Sequence, residues 1–503
     1  MTTATIFTRG SAGLAAPAVA IQVHITNGLP AFTVVGLPES TVRESRERVR
    51  SALLNSFFEW PDTRITVNLA PADLPKAGGR YDLPIALGLL VASGQLAQTG
   101  LENWECFGEL GLDGSLHPCT GLLGGIIAAT SAQRRCLVPL IQAPQLARVP
   151  NSVIVGAVDL LSACALIRTP SAPPAAPSRD LQETRAYPDL ADVQGQGCAR
   201  RAIEVAAAGG HHLLLNGPPG AGKSLLAACL PGLLPPPHPR QQLEIMQISD
   251  LMGDPPLAIR PFRAPHHSAS PAALIGGGAS ARPGEVSRAH GGVLFLDELA
   301  EFPRAVLDTL RQPLESGQVL VSRVRGQHWY PASFQLVAAM NPCPCGNAGA
   351  SGVTCRCGQD TIQRYQARVS GPLLDRIDLH VTLQRQTAED LLNANNINES
   401  SKQVARRVSL ARDRQIERQG SLNAGLETAK LMSTTALDAA TQRWFERAAD
   451  RLHMSARGIH RCLRVARTIA DLERAPTVEQ STLLEALNYR AMPVVGHRVG
   501  DSL

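Results

Sequence analysis

The sequence predicts an α/β protein in which a parallel sheet with helices on both faces is followed by a helical lid and preceded by a second, mixed α/β domain. Three observations lead to this fold class. Between residues 189 and 385, short apolar runs alternate with glycine-rich or acidic loops and with helices, the order typical of a parallel sheet. Beyond residue 386, apolar residues recur at helical spacing. Before residue 168, β-branched runs alternate with apolar stretches of helical length.

Residues 1–168 are expected to form the mixed α/β domain. The chain starts with small, uncharged residues but lacks the basic start and leucine-rich middle of an export signal, so we expect the beginning of a strand there. Turns are indicated at Asn27-Gly28 and at Pro71. The predicted elements are strands at 19–36 and 64–69, an amphipathic helix from Ser40 to Ser56, and buried helices at 83–98 and 121–133.

A linker is predicted at 169–188, where prolines are interspersed with alanine and serine. Such a segment is stiff and offers few side chains for a core. It divides the first domain from a nucleotide-binding core at 189–385, and the helical lid then occupies 386–503.

A phosphate-binding loop is indicated between a short apolar strand at His212–Leu215 and a helix that starts at Lys223. Small residues let backbone N–H groups surround phosphates, and the helix N-terminus favours the same anion. Lys223 would reach the outer phosphates of ATP, and Ser224 would ligate Mg²⁺. The alternative is a chance turn between a strand and a helix. The motif, which matches G-x-x-x-x-G-K-[ST], consists of Gly217, Pro218, Pro219, Gly220, Ala221, Gly222, Lys223 and Ser224.

Two acidic residues follow a second apolar run, Val293–Leu296, which reads as a buried parallel strand. Asp297 would complete the Mg²⁺ site, and Glu298 would deprotonate the attacking water. Acids at the end of a strand are also common without a catalytic role. A third strand, Phe334–Met340, ends in Asn341, which would orient the water or contact the γ-phosphate, or simply form a turn before Pro342.

Four of the 11 cysteines cluster in the pattern C-x-C-x₉-C-x-C, at Cys343, Cys345, Cys355 and Cys357. Two close pairs separated by a short loop can surround one tetrahedral ion, and four thiolates suit a closed, structural Zn²⁺ site. The one-residue spacing within each pair is tighter than usual, and the alternative is four unligated thiols in a glycine-rich loop.

Composition excludes several classes of protein. The net charge of +5 over 503 residues is too small to indicate a nucleic-acid partner by itself, and the aromatic content of 4% disfavours a base-stacking platform. No uninterrupted apolar run is long enough for a transmembrane helix, so no membrane partner is expected. The odd number of scattered cysteines is unlike a secreted disulfide framework, and we expect a reducing cytoplasm.

The lid should consist of charged helices. It carries an excess of basic residues, with 14 Lys or Arg against 6 Asp or Glu between residues 401 and 470. These could follow a DNA backbone, although solvated helix surfaces explain them equally well. The predicted helices are Ser400–Gln419, Thr441–His453, one capped by Ser455 and running to Leu472, and a last one that starts at a Thr477–Gln480 capping box and ends near Arg490.

Together, these motifs resemble an AAA+ ATPase, and more closely the magnesium-chelatase-like family of YifB and ComM. The strings that carry the resemblance are GPPGAGKS, RPFRAPHH, VLFLDELAEF, AAMNPCPCG and SGPLLDRIDLH, and the similarity runs from about residue 6 to residue 490. The resemblance implies a hexameric, ATP-driven helicase that promotes branch migration when foreign DNA is integrated during natural transformation. It also implies branched or single-stranded DNA and recombination proteins as partners.

The resemblance assigns roles to further residues. Asn341 lies where the family has its sensor 1. Arg376 resembles the arginine finger, which reaches the ATP of a neighbouring subunit, although an ion pair with Asp375 or Asp378 is the alternative. Arg457 resembles the sensor 2 arginine of the lid, with Arg461 as the other candidate.

Residues 318–334 read as two strands around Gly326. In related ring helicases, a hairpin at this place in the sequence points into the pore. Arg323 and Arg325 would then contact DNA phosphates without reading sequence. The alternative is a solvated hairpin with basic edges. The roles of His266 and His267 stay open.

The first domain resembles a Lon-protease-like domain through NLAPADLPKAGGRYDLPIALGLL. The position of the protease's serine falls on Arg80, or on Tyr81 with a shift of one residue, and its lysine partner falls near Leu123. Because neither nucleophile nor base is present, the resemblance implies the fold without protease chemistry. The alternative functions are a magnesium-chelatase-type or protein-remodelling ATPase, an ATP-dependent protease and a scaffold. Arg80 and Leu123 disfavour the protease, and the complete nucleotide motifs argue against the scaffold.

Overall fold

The computed structural model describes residues 2–169, 173–176, 187–255, 259–278, 281–323, 326–349, 353–386 and 398–490. The chain divides into two compact units. The first unit comprises residues 1–184, 243–258 and 326–330, and the second comprises 185–242, 259–325 and 331–503. Among the described helices, none is long and apolar enough to cross a membrane. Most of the predicted linker at 169–188 and the first part of the predicted lid lie outside the described residues.

The first unit is built on a seven-stranded mixed sheet with the strand order β3-β4-β2-β1-β5-β8-β9. Alternate residues of β2 and β4, such as Val23 and Val67, are fully buried because each strand turns one face to the core. The strands are β1 (Thr2–Arg9), β2 (Ala18–Thr26), β3 (Ala31–Val35), β4 (Arg64–Ala70), β5 (Trp104–Cys106), β6 (Glu109–Leu110), β7 (Leu116–His117), β8 (Arg135–Pro139) and β9 (Ile154–Ala157). The helices are α1 (Ser40–Arg43), α2 (Ser45–Asn55), α3 (Asp82–Ala92), α4 (Leu123–Ser131), α5 (Ala143–Leu146) and α6 (Leu160–Arg168).

Two helix predictions for this unit were wrong in extent. The helix predicted from Ser40 to Ser56 is interrupted at Glu44, where the Ser45 hydroxyl donates to the carbonyl of Val42 (2.7 Å) and competes with the helical backbone pattern. The helix predicted at 83–98 ends at Ala92, because Gly94 adopts a left-handed conformation (φ 79°) that closes the helix.

The second unit contains a five-stranded parallel sheet with the order β11-β14-β17-β10-β18, which confirms the predicted fold class. Its central strands are apolar and buried except for Asn216 at the end of β10, which is half-buried, and the buried Gln335 at the start of β17, as expected for a sheet covered on both faces. The strands from residue 213 onward are β10 (Leu213–Asn216), β11 (Phe262–Arg263), β12 (Gly276–Gly277), β13 (Arg282–Pro283), β14 (Val293–Leu296), β15 (Gln318–Arg323), β16 (Gly326–Pro331), β17 (Gln335–Met340) and β18 (Leu379–Thr382). The helices from residue 197 to residue 374 are α7 (Gly197–Gly209), α8 (Lys223–Leu233), α9 (Pro239–Met252), α10 (Pro271–Ile275), α11 (Glu285–Arg288), α12 (Arg304–Asp308), α13 (Arg311–Ser316), α14 (Gln359–Gln366) and α15 (Gly371–Leu374).

The C-terminal part of the second unit is helical, as predicted. Ser455 caps α19 by accepting a hydrogen bond from the Gly458 amide (3.2 Å), which confirms its predicted role. The helices are α16 (Ser401–Gln419), α17 (Thr428–Thr435), α18 (Ala439–Arg451), α19 (Ala456–Leu472) and α20 (Gln480–Asn488).

The capping box predicted at Thr477–Gln480 was wrong. Helix α20 starts at Gln480, and Glu479 occupies the N-cap position. Glu479 is extended (φ −98°, ψ 167°), the Val478 amide before it donates to the Thr435 carbonyl (3.0 Å), and the Val478 side chain is buried. A tertiary contact therefore overrides the local capping signal.

Candidate nucleotide site

The phosphate loop (residues 217–224) joins the end of β10 to the start of α8, as the motif predicts. Gly220 and Gly222 have φ angles of 77° and 84°, a left-handed backbone that favours glycine. Gly222 caps α8 without a side-chain hydrogen bond, so the first N–H groups of the helix remain available to an anion. The loop therefore has the backbone of a phosphate-binding site.

Lys223 connects this loop to the adjacent strand end. Its Nζ donates to the carbonyls of Gly217 (2.6 Å) and Pro218 (3.0 Å) and to Oδ1 of Asn341 (3.0 Å). Burial lowers the pKa of Lys223, while the carboxylates of Asp297 and Glu298 oppose that shift and favour the charged form. The structure thus brings Lys223 and Asn341 together, because β10 and β17 are parallel neighbours whose carboxyl ends share one edge of the sheet.

Ser224 and Asp297 also converge at this edge. The Ser224 hydroxyl donates to Asp297 Oδ2 (2.8 Å), although β14 and the phosphate loop are far apart in sequence. Ser224 is exposed and Asp297 is half-buried. A hydroxyl and a carboxylate oxygen at this separation suit the oxygen ligands that Mg²⁺ prefers. The residues present therefore fit a nucleotide-bound Mg²⁺ ion.

Glu298 is held by the backbone and by a histidine. It adopts a left-handed conformation (φ 52°), and its amide donates to Asp297 Oδ1 (2.9 Å). A residue with a side chain tolerates this conformation at a cost of about 1–3 kcal/mol, typically at functional sites. Its carboxylate Oε2 lies 3.1 Å from Nδ1 of His267. The role of His267 was left open by the sequence motif, and its contact with Glu298 makes it a functional candidate.

Arg376 does not join this cluster. It lies between α15 and β18, where it donates to the Pro372 carbonyl (2.6 Å) and pairs with Glu315. The alternative prediction, an ion pair of Arg376 with Asp375 or Asp378, was wrong, because the carboxylate that pairs with Arg376 belongs to Glu315. Asp378 instead accepts from Arg461 (2.6 Å) and contacts His211 (3.2 Å).

The two sensor 2 candidates have different surroundings. Arg461 is engaged by the buried carboxylate of Asp378. Burial alone would raise the pKa of Asp378, but the hydrogen bond from His211 and the charge of Arg461 lower it well below its usual range. Arg457 lies exposed on the first turn of α19 and makes no hydrogen bond or ion pair with any described residue. Its guanidinium is therefore available to a ligand.

The four cysteines come together in the loop after β17. Their sulfur atoms all lie within 4.8 Å of one another, and Cys343 is buried. The arrangement could hold a metal ion. The same loop contacts the phosphate loop, because a Cβ atom placed on Gly346 would lie 2.4 Å from Cδ of Pro219.

Of the two arginines predicted to contact DNA, only Arg323 lies within the described residues. One strand, β15, ends at Arg323 and the next, β16, begins at Gly326, which confirms two strands around Gly326. Arg323 is the last residue of β15, and Arg325 lies outside the described residues. Their contact with DNA stays a prediction.

Three models of known protein families match separate parts of the chain. The family described as magnesium chelatase, subunit ChlI, matches residues 189–391, the family described as subunit ChlI of Mg-chelatase matches 21–141, and its C-terminal counterpart matches 398–490.

Relatives that match nearly the whole chain were also found. The chain is 46% identical over 496 residues to the uncharacterized protein YifB of Salmonella typhimurium, covering 98% of both chains. It is 44% identical over 501 residues to the competence protein ComM of Haemophilus influenzae, again covering 98% of both. It is 42% identical over 489 residues to the uncharacterized protein Rv2897c of Mycobacterium tuberculosis, covering 95% of this chain and 96% of that protein. With the geometry of the nucleotide site, these similarities show that the chain belongs to the magnesium-chelatase-like YifB/ComM family of AAA+ ATPases.

Proposed function

We propose that the protein is an ATP-driven ring motor acting on DNA, and that it promotes branch migration of recombination intermediates during natural transformation. The observation that carries the ATPase part is the convergence of Lys223, Ser224, Asp297 and Asn341 at one sheet edge. The name of the competence protein ComM, which matches along nearly the whole chain, supports the link to transformation.

In this proposal, the phosphate loop and α8 bind the ATP phosphates, and Lys223 neutralises the outer ones. Ser224 and Asp297 would hold Mg²⁺, which supplies charge neutralisation on the transferred phosphoryl group. Glu298 would take the proton of the attacking water, and Asn341 would orient that water. The Asn341–Lys223 hydrogen bond supports this, because it places an amide beside the group that contacts the γ-phosphate.

The proposal includes an oligomer, which an arginine finger acting between subunits requires, and the resemblance to the family implies that it is a homohexamer. Arg376 would act on the ATP of a neighbouring subunit, which requires it to leave Glu315 when the ring forms. Its side chain is 13% exposed, and its Nε has no partner among the described residues. Arg457, exposed on α19, would act as sensor 2 on the nucleotide of its own subunit.

DNA would pass through the ring along the β15–β16 hairpin, where Arg323 and Arg325 contact phosphates. We further propose four parts: a Lon-protease-like domain at 1–168, a linker at 169–188, the ATPase core at 189–385 and the lid at 386–503. The first part would act as a platform without protease chemistry. The proposal also includes a structural Zn²⁺ on the four cysteines and a cytoplasmic location.

A second candidate is a magnesium-chelatase-type or protein-remodelling ATPase. The descriptions of the matching families favour it, because all three refer to a subunit of magnesium chelatase. It shares the nucleotide site and differs in the substrate that the ring engages.

The test is ATP-dependent processing of a labelled four-way DNA junction, with Lys223→Ala as the control. The proposal expects resolution into forked duplexes that needs both ATP and Lys223. A wild-type protein that hydrolyses ATP but neither processes the junction nor responds to DNA would contradict DNA motor function and favour the second candidate.

A further inference from the structure

The four cysteine sulfurs have the separations of a tetrahedral metal site. Cys343 Sγ lies 3.4 Å from Cys345 Sγ and 3.7 Å from Cys355 Sγ, and Cys345 and Cys355 are 3.6 Å apart. Zn²⁺ bound to four sulfurs at about 2.3 Å would separate them by about 3.8 Å. Cys357 completes the set within 4.8 Å of the others. The spacing matches one ion shared by four ligands.

The backbone around the sulfurs is arranged to support thiolates. The Ala348 amide donates to Cys343 Sγ (3.3 Å), and the Cys357 amide donates to Cys355 Sγ (3.4 Å). Gly346, with φ 79°, turns the chain back so that its amide donates to the Cys343 carbonyl (2.9 Å). Such N–H donors stabilise the negative charge that thiolates bring to a metal.

The chemistry of the ligands points to zinc. Thiolates are soft ligands, and four of them in tetrahedral geometry favour Zn²⁺ or iron. No carboxylate or histidine belongs to the described cluster, so it has the composition of a closed site that leaves no position for a substrate. A structural role is therefore expected.

The loop that carries these ligands contacts the nucleotide site at two points. Asn341, two residues before Cys343, accepts from Lys223. Gly346, next to Cys345, packs on Pro219 so closely that any side chain there would clash. Between β17 and α14, the described residues of this loop form no helix or strand. No helix or strand hydrogen-bond pattern therefore fixes these described residues, and a metal ion would fix them.

We propose that Cys343, Cys345, Cys355 and Cys357 bind one Zn²⁺, and that this ion holds the loop against the phosphate loop so that tight nucleotide binding depends on it. The dependence rests on the proposed ATPase function, whereas metal binding does not. Loss of the ion would remove the packing of Gly346 on Pro219 and so loosen the support of the phosphate loop.

The first test measures metal content of the purified full chain by elemental analysis. We expect about one zinc per chain in the wild type and in Cys198→Ser, a matched control because Cys198 is exposed and outside the cluster. Cys345→Ser should lose the metal, and the exposed position of Cys345 makes a folded variant accessible. Iron in place of zinc, or equal zinc in the wild type and Cys345→Ser, would overturn the metal assignment.

The second test measures affinity for a fluorescent ATP analogue. A chelator selective for Zn²⁺ over Mg²⁺ should weaken binding by the wild type about tenfold, and added Zn²⁺ should restore it, without any variant being needed. Zinc loss with unchanged affinity would overturn the dependence. A wild type that contains zinc but binds no ATP would contradict the proposed ATPase function while leaving the zinc site intact.

Discussion

Lys223 in the second unit and Arg80 in the first resemble each other in local contacts but differ in role. Both are buried basic side chains next to the start of a helix, and both donate to loop carbonyls. Lys223 contacts Gly217 and Pro218, and Arg80 contacts the carbonyls of Thr120 (2.5 Å) and Gly121 (3.3 Å). Arg80 stands where the resemblance places the protease's serine, and its side chain therefore stabilises the loop at Thr120 and Gly121.

The surroundings of the two residues differ. Beside Lys223, the side chains of Ser224 and Glu298 are exposed. Beside Arg80, Tyr81 is buried, and Asp82 is buried against Arg48 (2.6 Å). A site for chemistry leaves positioned polar groups accessible to a ligand, whereas a structural cluster satisfies them internally. The comparison predicts that ATP chemistry depends on the second unit's residues and not on Arg80.

The largest effect should come from Arg376→Ala. Removing an arginine finger should lower ATP turnover by ~10³–10⁵, because the developing charge on the phosphoryl group loses its counter-charge, while ATP binding persists. Steady-state ATPase kinetics and analogue binding would measure both. Arg304→Ala, which changes an exposed arginine, serves as the control. Mixing Arg376→Ala subunits with Lys223→Ala subunits should restore turnover. A lack of rescue would contradict action of Arg376 on a neighbouring subunit.

Glu298→Gln should produce the next largest effect. Without the base, turnover should fall by ~10²–10⁴. ATP binding should persist, because the phosphate loop and Lys223 are unchanged. Glu301→Gln is the matched control, since Glu301 pairs with Arg368 (3.0 Å). Retained turnover in single-turnover ATP hydrolysis would assign the base elsewhere.

Arg323→Ala combined with Arg325→Ala should weaken DNA binding. If each arginine contacts one phosphate, the slope of log affinity against log salt should decrease by roughly 2. Fluorescence anisotropy across a salt series would measure it. Weaker DNA binding with an unchanged salt slope would contradict contacts between these two arginines and DNA phosphates.

His267→Ala should have a smaller effect. It removes the contact that orients Glu298, so we expect kcat to fall by a factor of roughly 2–10 from the loss of one hydrogen bond, with KM for ATP unchanged. His266→Ala is a close control, because His266 contacts Ser268 (2.8 Å) and not Glu298. Equal effects in the two variants would contradict a positioning role for His267.

Sequence reasoning succeeded where the signal is local. The phosphate loop needs small residues and a lysine at fixed spacing, and the buried strand before Asp297 is a continuous apolar run. The order of these motifs also predicts the parallel sheet, whose strand ends then bring Asn341 to Lys223.

It failed where a distant contact decides the outcome. Val478 is held by Thr435 rather than by a local cap, and Arg376 pairs with Glu315 rather than with its neighbours in sequence. The contact between His267 and Glu298 likewise joins segments that no local pattern connects. These interactions depend on tertiary packing that brings distant segments side by side.

The most direct test of this comparison measures ATP binding and hydrolysis in Lys223→Ala and Arg80→Lys side by side. Lys223→Ala should bind ATP at least about 100-fold more weakly, since it loses charge-assisted contacts to phosphate. Arg80→Lys keeps a donor for the loop carbonyls and should bind and hydrolyse ATP like the wild type. Normal ATP binding by Lys223→Ala, or its loss in a folded Arg80→Lys chain, would contradict the assignment of the nucleotide site.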